Sequence, residues 1–173
     1  MIVLIALYLA AIVTANLLVA QFGAAITVFN AFILIALDLT ARDSLHERWH
    51  GKHLWRNMAL LIGAGSVLSA LLNVNATPIA VASFTAFALA GASDTVVYAL
   101  LGKRSKLVKM NGSNLVSAAV DSFVFPVLAF GFPPLWGVII GQYAAKVVGG
   151  VFWSWVLTHP LELRRREPVR KSR

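Results

Sequence analysis

Six long apolar stretches, separated by shorter polar segments, dominate the pattern of the chain. They cover residues 2–20, 22–40, 57–74, 78–101, 114–131 and 135–157. Each is close to the roughly 20 apolar residues that an α-helix needs to cross the hydrocarbon core of a bilayer. The pattern therefore predicts an all-α protein, a bundle of six transmembrane helices joined by short connections.

The connections between these stretches are of two kinds. Three are short and uncharged, and they lie around Gln21, at residues 75–77 and at residues 132–134. Three are longer and polar, and they cover residues 41–56, residues 102–113 and the tail from Thr158 onward. One proline, Pro126, falls inside the fifth stretch, where it frees a backbone carbonyl and predicts a kink.

Composition indicates a membrane protein rather than a soluble domain. Hydrophobic residues make up 59% of the chain and charged residues 13%, with a mean hydropathy of +0.78, whereas a soluble domain carries roughly a quarter charged residues. We expect a transmembrane domain over residues 1–158 and a basic cytoplasmic tail over residues 159–173. We also expect the first stretch to be a retained helix, since no basic segment precedes it.

The positive charge is concentrated in the longer connections. The net charge is +8, and fourteen of the fifteen lysine and arginine residues lie within residues 41–56, 102–113 and 158–173. With six spans, these segments share one side of the membrane, and the positive-inside rule places that side and both termini in the cytoplasm. The charge therefore indicates a multi-pass protein of the inner cell membrane that contacts lipid headgroups, and we expect no nucleic-acid partner.

Small residues recur at four-residue spacing on several stretches. The longest run is Gly137, Gly141, Ala145 and Gly149, which predicts a smooth helix face that a neighbouring backbone can approach closely. Alanines of the first and fourth stretches form similar runs. Such faces pack helices within one chain or join two protomers, so a homodimer through these faces is one of two open expectations.

Four ionisable residues lie within the apolar stretches themselves, namely Asp38, Asp94, Asp121 and Lys146. A charge at the centre of a membrane helix costs at least about 2.5–3.5 kcal/mol, so each is a candidate for function. At about 1.5 Å per residue, Asp94 and Asp121 lie roughly 10 Å from the basic side and Lys146 near the midplane. We expect an ion pair or a shared polar cavity. The alternative is that the charges only hold the bundle together.

Uncharged polar side chains extend this group. They are Asn16, Asn30, Asn73 and Gln142, and Gln142 shares a helix face with Lys146. A carboxylate accepts two N–H groups from one edge of a purine-like ring, and the ring carbonyl accepts from a lysine or an amide. The pattern therefore favours a pocket for a flat, polar solute.

No arrangement typical of an enzyme stands out, and we expect no catalytic residue, cofactor or bound metal. His46, His50 and His53 have a spacing that can place metal ligands on one helix face. They lie, however, in the cation-rich string HERWHGKH, which we interpret as a solvated loop. The chain has no cysteine, no Gly-rich nucleotide loop and no nucleophile elbow.

Five strings carry the polar positions just described. They are TANLLV at 14–19, FILIALDLTARD at 32–43, ASFTAFALAGASDTVVYALLGKR at 82–104, NLVSAAVDSFVFPVLAFG at 114–131 and GQYAAKVVGGVFW at 141–153. In this order they resemble the YhhQ/VUT family of queuosine-precursor transporters over nearly the whole chain. The string SLHERW replaces the aromatic-Gly pair that often follows D-L-T. The resemblance implies a six-helix bundle that takes up 7-cyano-7-deazaguanine or its aminomethyl relative.

By this resemblance the family's polar positions fall on Asn16, Asp38, Asp94, Asp121 and Lys146. With two polar neighbours added, the predicted substrate site comprises Asn16, Asp38, Asp94, Asp121, Ser122, Gln142 and Lys146. The expected function is import of a deazapurine base into the cytoplasm. Two alternatives stay open: a substrate-binding component of a multi-subunit vitamin-type uptake system, and a non-transporting membrane scaffold.

Overall fold

The chain is almost entirely helical in the part that the structure, a computed structural model, describes: residues 2–37, 54–104 and 106–166. The helices are α1 (Ile2–Phe22), α2 (Thr27–Asn30), α3 (Leu54–Leu72), α4 (Thr77–Leu100), α5 (Lys106–Phe130) and α6 (Trp136–Arg166). Short 3₁₀ segments at Gly23–Ile26 and Val74–Ala76 precede α2 and α4, and a π-helical turn at Ala31–Ile35 follows α2.

The all-α prediction is confirmed for these residues, and helical structure covers nearly all of the described part of each apolar stretch. Within them, three segments are long and apolar enough to cross a membrane: Ile2–Ile35, Val74–Leu100 and Asn111–Phe130. A shorter apolar helix covers Arg56–Leu72. The count of six spans and the cytoplasmic position of both termini stay predictions.

Two helices extend well beyond the apolar stretches. Helix α5 begins at Lys106 rather than near Asn114, and α6 continues to Arg166 rather than ending near Leu157. Hydropathy marks only the part of a helix that lipid can surround, whereas helical hydrogen bonding continues through good helix formers such as lysine, leucine and arginine. Much of the predicted connection at 102–113 is therefore helix, as is the first part of the predicted basic tail.

The second apolar stretch is broken, although the sequence predicts one uniform helix there. Helix α1 ends at Phe22 because Gly23 adopts a positive φ of 66°, which glycine reaches without the steric cost that a side chain adds. The chain then winds as a 3₁₀ segment, the four-residue α2 and the π turn. Hydropathy reports which residues are apolar and not how many make one turn, so it gives no sign of this break.

Contacts join the helices into a closed ring. Helix α1 packs on α3, α3 on α4, α4 on α5 and α5 on α6, while α2 and the π turn pack on α6 and on α1. A hydrophobic cluster fills the contact among α1, α3 and α4, and it consists of Tyr8, Ile12, Met58, Leu61, Ile62 and Phe87. The remaining space at the centre of the ring is the candidate site.

The glycine face of α6 packs against α2 and the π turn. A Cβ atom at Gly141 would lie 2.9 Å from Val28 Cγ2. One at Gly149 would lie 2.6 Å from the carbonyl oxygen of Phe32 and 2.7 Å from Cβ of Ala36. Backbones approach this closely only where a side chain is missing. This part of the small-residue face thus serves packing within the chain, and the homodimer stays a prediction.

Gly149→Ala should destabilise the fold, because its methyl group would overlap the backbone of Phe32. Overpacking of this kind costs about 1–3 kcal/mol, and for a chain of this size each kcal/mol lowers Tm by roughly 2–4 °C. Gly150→Ala is the matched control, since a Cβ atom there meets nothing within 4 Å. Thermal unfolding in detergent measures both variants. Equal Tm values for the two would contradict the close contact at Gly149.

Candidate functional site

A cleft at the centre of the ring gathers polar side chains from α1, α2, α4, α5 and α6. It contains about 350 Å³ of empty space, counting its open mouth. Only about 30 Å³ of this admits the centre of a water molecule, which is room for roughly two waters. The polar residues of its lining are Asn16, Thr27, Asn30, Ser83, Asp121, Gln142 and Lys146.

An ion pair between α5 and α6 forms the centre of this cleft. Lys146 Nζ lies 2.6 Å from Asp121 Oδ2, and the two side chains are 2% and 8% exposed. Lys146 also donates to Ser122 Oγ at 3.1 Å and to Gln142 Oε1 at 3.4 Å. The ammonium group has three donors, so these three oxygens satisfy it fully. The arrangement holds one charge of each sign away from water.

The spacing of these residues along their helices explains why they meet. Gln142 and Lys146 lie one helical turn apart on α6, and Asp121 and Ser122 are neighbours on α5. Asp121 also lies at the middle of the candidate span Asn111–Phe130, about 15 Å from either end at about 1.5 Å per residue. An unpaired charge at such depth is expensive, which makes Lys146 and Asp121 depend on each other.

Two asparagines bring the N-terminal elements into the same cleft. Asn16 Nδ2 donates to Ser69 Oγ at 3.1 Å, and Ser69 donates in turn to the carbonyl oxygen of Gly65 at 2.8 Å. This chain of bonds connects α1 to α3. Asn30 Nδ2 donates to the carbonyl oxygen of Ala15 at 3.1 Å, which connects α2 to α1. Both asparagines are buried.

Two amide groups of the cleft each keep one buried atom without a hydrogen-bond partner in the described part of the chain. These atoms are Asn30 Oδ1 and Gln142 Nε2. Leaving a buried polar atom unpaired costs about 1–3 kcal/mol. Buried polar groups are nearly always satisfied in folded proteins, so two exceptions in one cleft need an explanation. Ordered waters, for which the cleft has room, or a bound polar solute would provide one.

Most of the predicted site residues come together in this cleft. Asn16, Asp121, Gln142 and Lys146 line it, and Ser122 contacts it through the hydrogen bond from Lys146. Asp38 lies outside the described residues, as do His46, His50 and His53.

Asp94 is not brought to the cleft, whose lining does not include it. It lies two turns beyond Phe87 on α4, roughly 10 Å further along the helix axis. The carboxylate that pairs with Lys146 is that of Asp121. One oxygen of Asp94 is buried without a partner among the described residues. We therefore leave Asp94 out of the site proposed below.

The predicted site omits several residues that line the cleft. These are Thr27, Asn30, Ser83, Phe87 and Phe125, together with small apolar neighbours. The sequence does mark Asn30 as a candidate, because an amide within an apolar stretch is unusual. The break around α2 changes the number of residues per turn, however, so periodicity does not tell which face Asn30 presents. The sequence does not single out the two phenylalanines as site residues, because apolar residues fill every span.

A family model described as "Putative vitamin uptake transporter" matches residues 2–159, which is nearly the whole chain. The chain belongs to the VUT family. The resemblance drawn from the five sequence strings is thereby confirmed. No match was found among curated proteins or among solved structures.

Family membership and the long apolar helices define the class of this VUT protein. It is a membrane protein, it is a vitamin-type uptake transporter, and the expectation that it is not an enzyme agrees with its family.

Neutralising one member of the ion pair should destabilise the VUT protein more than neutralising both. Asp121→Asn leaves Lys146 unpaired, and Lys146→Met leaves Asp121 unpaired, so each should cost about 3–5 kcal/mol. The double variant buries no charge, and its Tm should recover at least half of the single losses. Thermal unfolding of all four proteins in one detergent measures this coupling. Strictly additive losses would show that the two side chains do not interact.

Proposed function

We propose that this VUT protein is a multi-pass carrier of the inner membrane that imports a queuosine-precursor base, 7-cyano-7-deazaguanine or its aminomethyl form. The observation that carries the proposal is the buried ion pair of Asp121 and Lys146 inside a polar cleft, at the middle of a candidate span. Ionisable residues at membrane depth mark substrate pathways, because a charge buried there destabilises the fold and its presence points to a functional role.

The chemistry of the cleft suits a flat ring with several N–H groups and a carbonyl. A carboxylate has about four acceptor positions, so Asp121 can accept from the ring or its exocyclic amine while it still holds Lys146. The amide of Gln142 or the ammonium of Lys146 can donate to the ring carbonyl. Phe87 and Phe125 line the same cleft, and aromatic side chains pack well on the faces of a heterocycle.

The width of the cleft adds a mechanical requirement. Its inner part has room for roughly two waters, which is less than a bicyclic ring needs, so the walls must separate when the base enters. The wall formed by Gly23–Ile26, α2 and the π turn is the most suitable for this movement, because no long run of regular helical hydrogen bonds crosses it. Broken helices at the substrate site are common in carriers that alternate their access.

Asp121→Ala and Lys146→Ala should each abolish cellular uptake of labelled 7-cyano-7-deazaguanine, because each removes half of the polar centre. Both proteins should still reach the membrane, which immunoblots of membrane fractions check. Asp94→Asn is the matched control: it removes a carboxylate charge of α4 outside the cleft, and its uptake should stay close to that of the unmodified protein. Normal uptake by both cleft variants would refute the site, and loss in Asp94→Asn alone would move it to α4.

Purified protein, alone in liposomes, separates the carrier from the alternatives. Uptake of the base by the reconstituted protein is the expected result. A thermal shift with 7-cyano-7-deazaguanine but not with guanine, without uptake, would indicate a substrate-binding component of a multi-subunit system. Neither binding nor uptake would indicate a non-transporting scaffold.

A further inference from the structure

We propose that Asn30 is a specificity-determining residue, and that with Gln142 it recognises the amide edge of an uncharged ring. Asn30 Oδ1 accepts the ring N–H beside the carbonyl, and Gln142 Nε2 donates to that carbonyl. The inference rests on the proposed function for the presence of a ring substrate. It adds which protein atoms distinguish that ring from its analogues.

The hydrogen bond to α1 determines which atom of the Asn30 amide stays free. Asn30 donates to the carbonyl oxygen of Ala15 at 3.1 Å. A carbonyl oxygen only accepts, so the flipped amide would place two acceptors against each other. The nitrogen must therefore point to Ala15. Oδ1 remains as a buried acceptor without a partner among the described residues.

The amide of Gln142 is fixed in the opposite sense. Its Oε1 accepts from Lys146 Nζ at 3.4 Å, and an ammonium group only donates. Nε2 therefore remains as a buried donor, again without a partner in the described part of the chain. The cleft thus contains one free acceptor on α2 and one free donor on α6.

Close packing of α2 on α6 holds these two amides in one cleft. Val28 lies against Gly141, where a Cβ atom would be only 2.9 Å from Val28 Cγ2. Asn30 follows Val28 by two residues, and Gln142 follows Gly141 directly. The missing side chain at Gly141 lets α2 approach α6 closely at this point, so Asn30 and Gln142 lie on neighbouring elements that line the same cleft.

An amide edge is the ligand feature that satisfies both atoms at once. Its N–H donates to Asn30 Oδ1, and its carbonyl accepts from Gln142 Nε2. A ring that lacks either group leaves a buried polar atom of the protein unpaired, which is the main source of discrimination between close analogues. One lost hydrogen bond of this kind changes an affinity by about tenfold.

Binding measurements that combine variants with analogues test the inference. The ligands are 7-cyano-7-deazaguanine and its N1-methyl analogue, which lacks the N–H beside the carbonyl. The unmodified protein in detergent should bind the methylated ring at least about tenfold more weakly. Asn30→Ala should bring the two affinities close together, because it removes the acceptor and makes room for the methyl group.

Asn16→Ala is the matched control, because Asn16 is also a buried asparagine of the cleft whose Nδ2 is engaged. It should keep the penalty for the methylated ring even if both affinities fall. Where Asn30→Ala does not fold, Asn30→Ser replaces it.

A different pattern would overturn the inference. If Asn30 only connects α2 to α1, or if a water satisfies its Oδ1, Asn30→Ala lowers both affinities and leaves their ratio unchanged. An equal affinity of the unmodified protein for the two rings overturns the inference as well. Absence of all binding by the unmodified protein overturns the proposed function together with it, whereas binding with an unchanged ratio overturns this inference alone.

Discussion

The arrangement of the polar cleft depends on the ion pair between Lys146 Nζ and Asp121 Oδ2. Each group is nearly inaccessible to water, and an unpaired charge at membrane depth is costly, so the two side chains depend on each other. The pair also needs further hydrogen-bond partners, because an ammonium group has three donors and a carboxylate several acceptors. Ser122 and Gln142 accept two of the hydrogen bonds that Lys146 donates. The rest of the polar cleft follows from the same requirement, since a charge pair in an apolar bundle needs polar walls.

Around this centre, the helices are held together by two kinds of contact other than ordinary apolar packing. Hydrophobic burial gives little advantage between helices that lipid already surrounds. Hydrogen bonds of Asn16 and Asn30 instead connect α1 to α3 and α2 to α1. Glycines provide the second kind, because Gly141 and Gly149 let α2 and the π turn approach the backbone of α6. The cleft is therefore bounded by polar contacts on the side of α1 and by a smooth glycine surface on α6.

The sequence alone predicts a large part of this arrangement. Hydropathy locates the helical stretches, and the cost of charge in hydrocarbon selects Asp121 and Lys146, which the structure pairs. Depth along a helix grouped Asp94 with Asp121, whereas the structure places Asp94 two turns beyond Phe87, the nearest residue of α4 that lines the cleft. Asn30 was predicted as one of the polar residues of a possible pocket but not as a site residue, and the changed winding around α2 hides from periodicity which face it presents. The ends of α5 and α6 were misplaced, because hydropathy stops at the edge of the apolar region whereas helical hydrogen bonding does not.

The ion pair has an electrical consequence. Its two charges lie 2.6 Å apart and cancel, so the pair experiences almost no net force from a voltage across the membrane. A single elementary charge that crosses the full membrane exchanges about 2.3 kcal/mol per 100 mV with the field. An uncharged base that binds beside the pair carries none. Under the proposed function, binding of the uncharged base beside the pair would therefore add no charge to the field, whereas the aminomethyl form would bring its own.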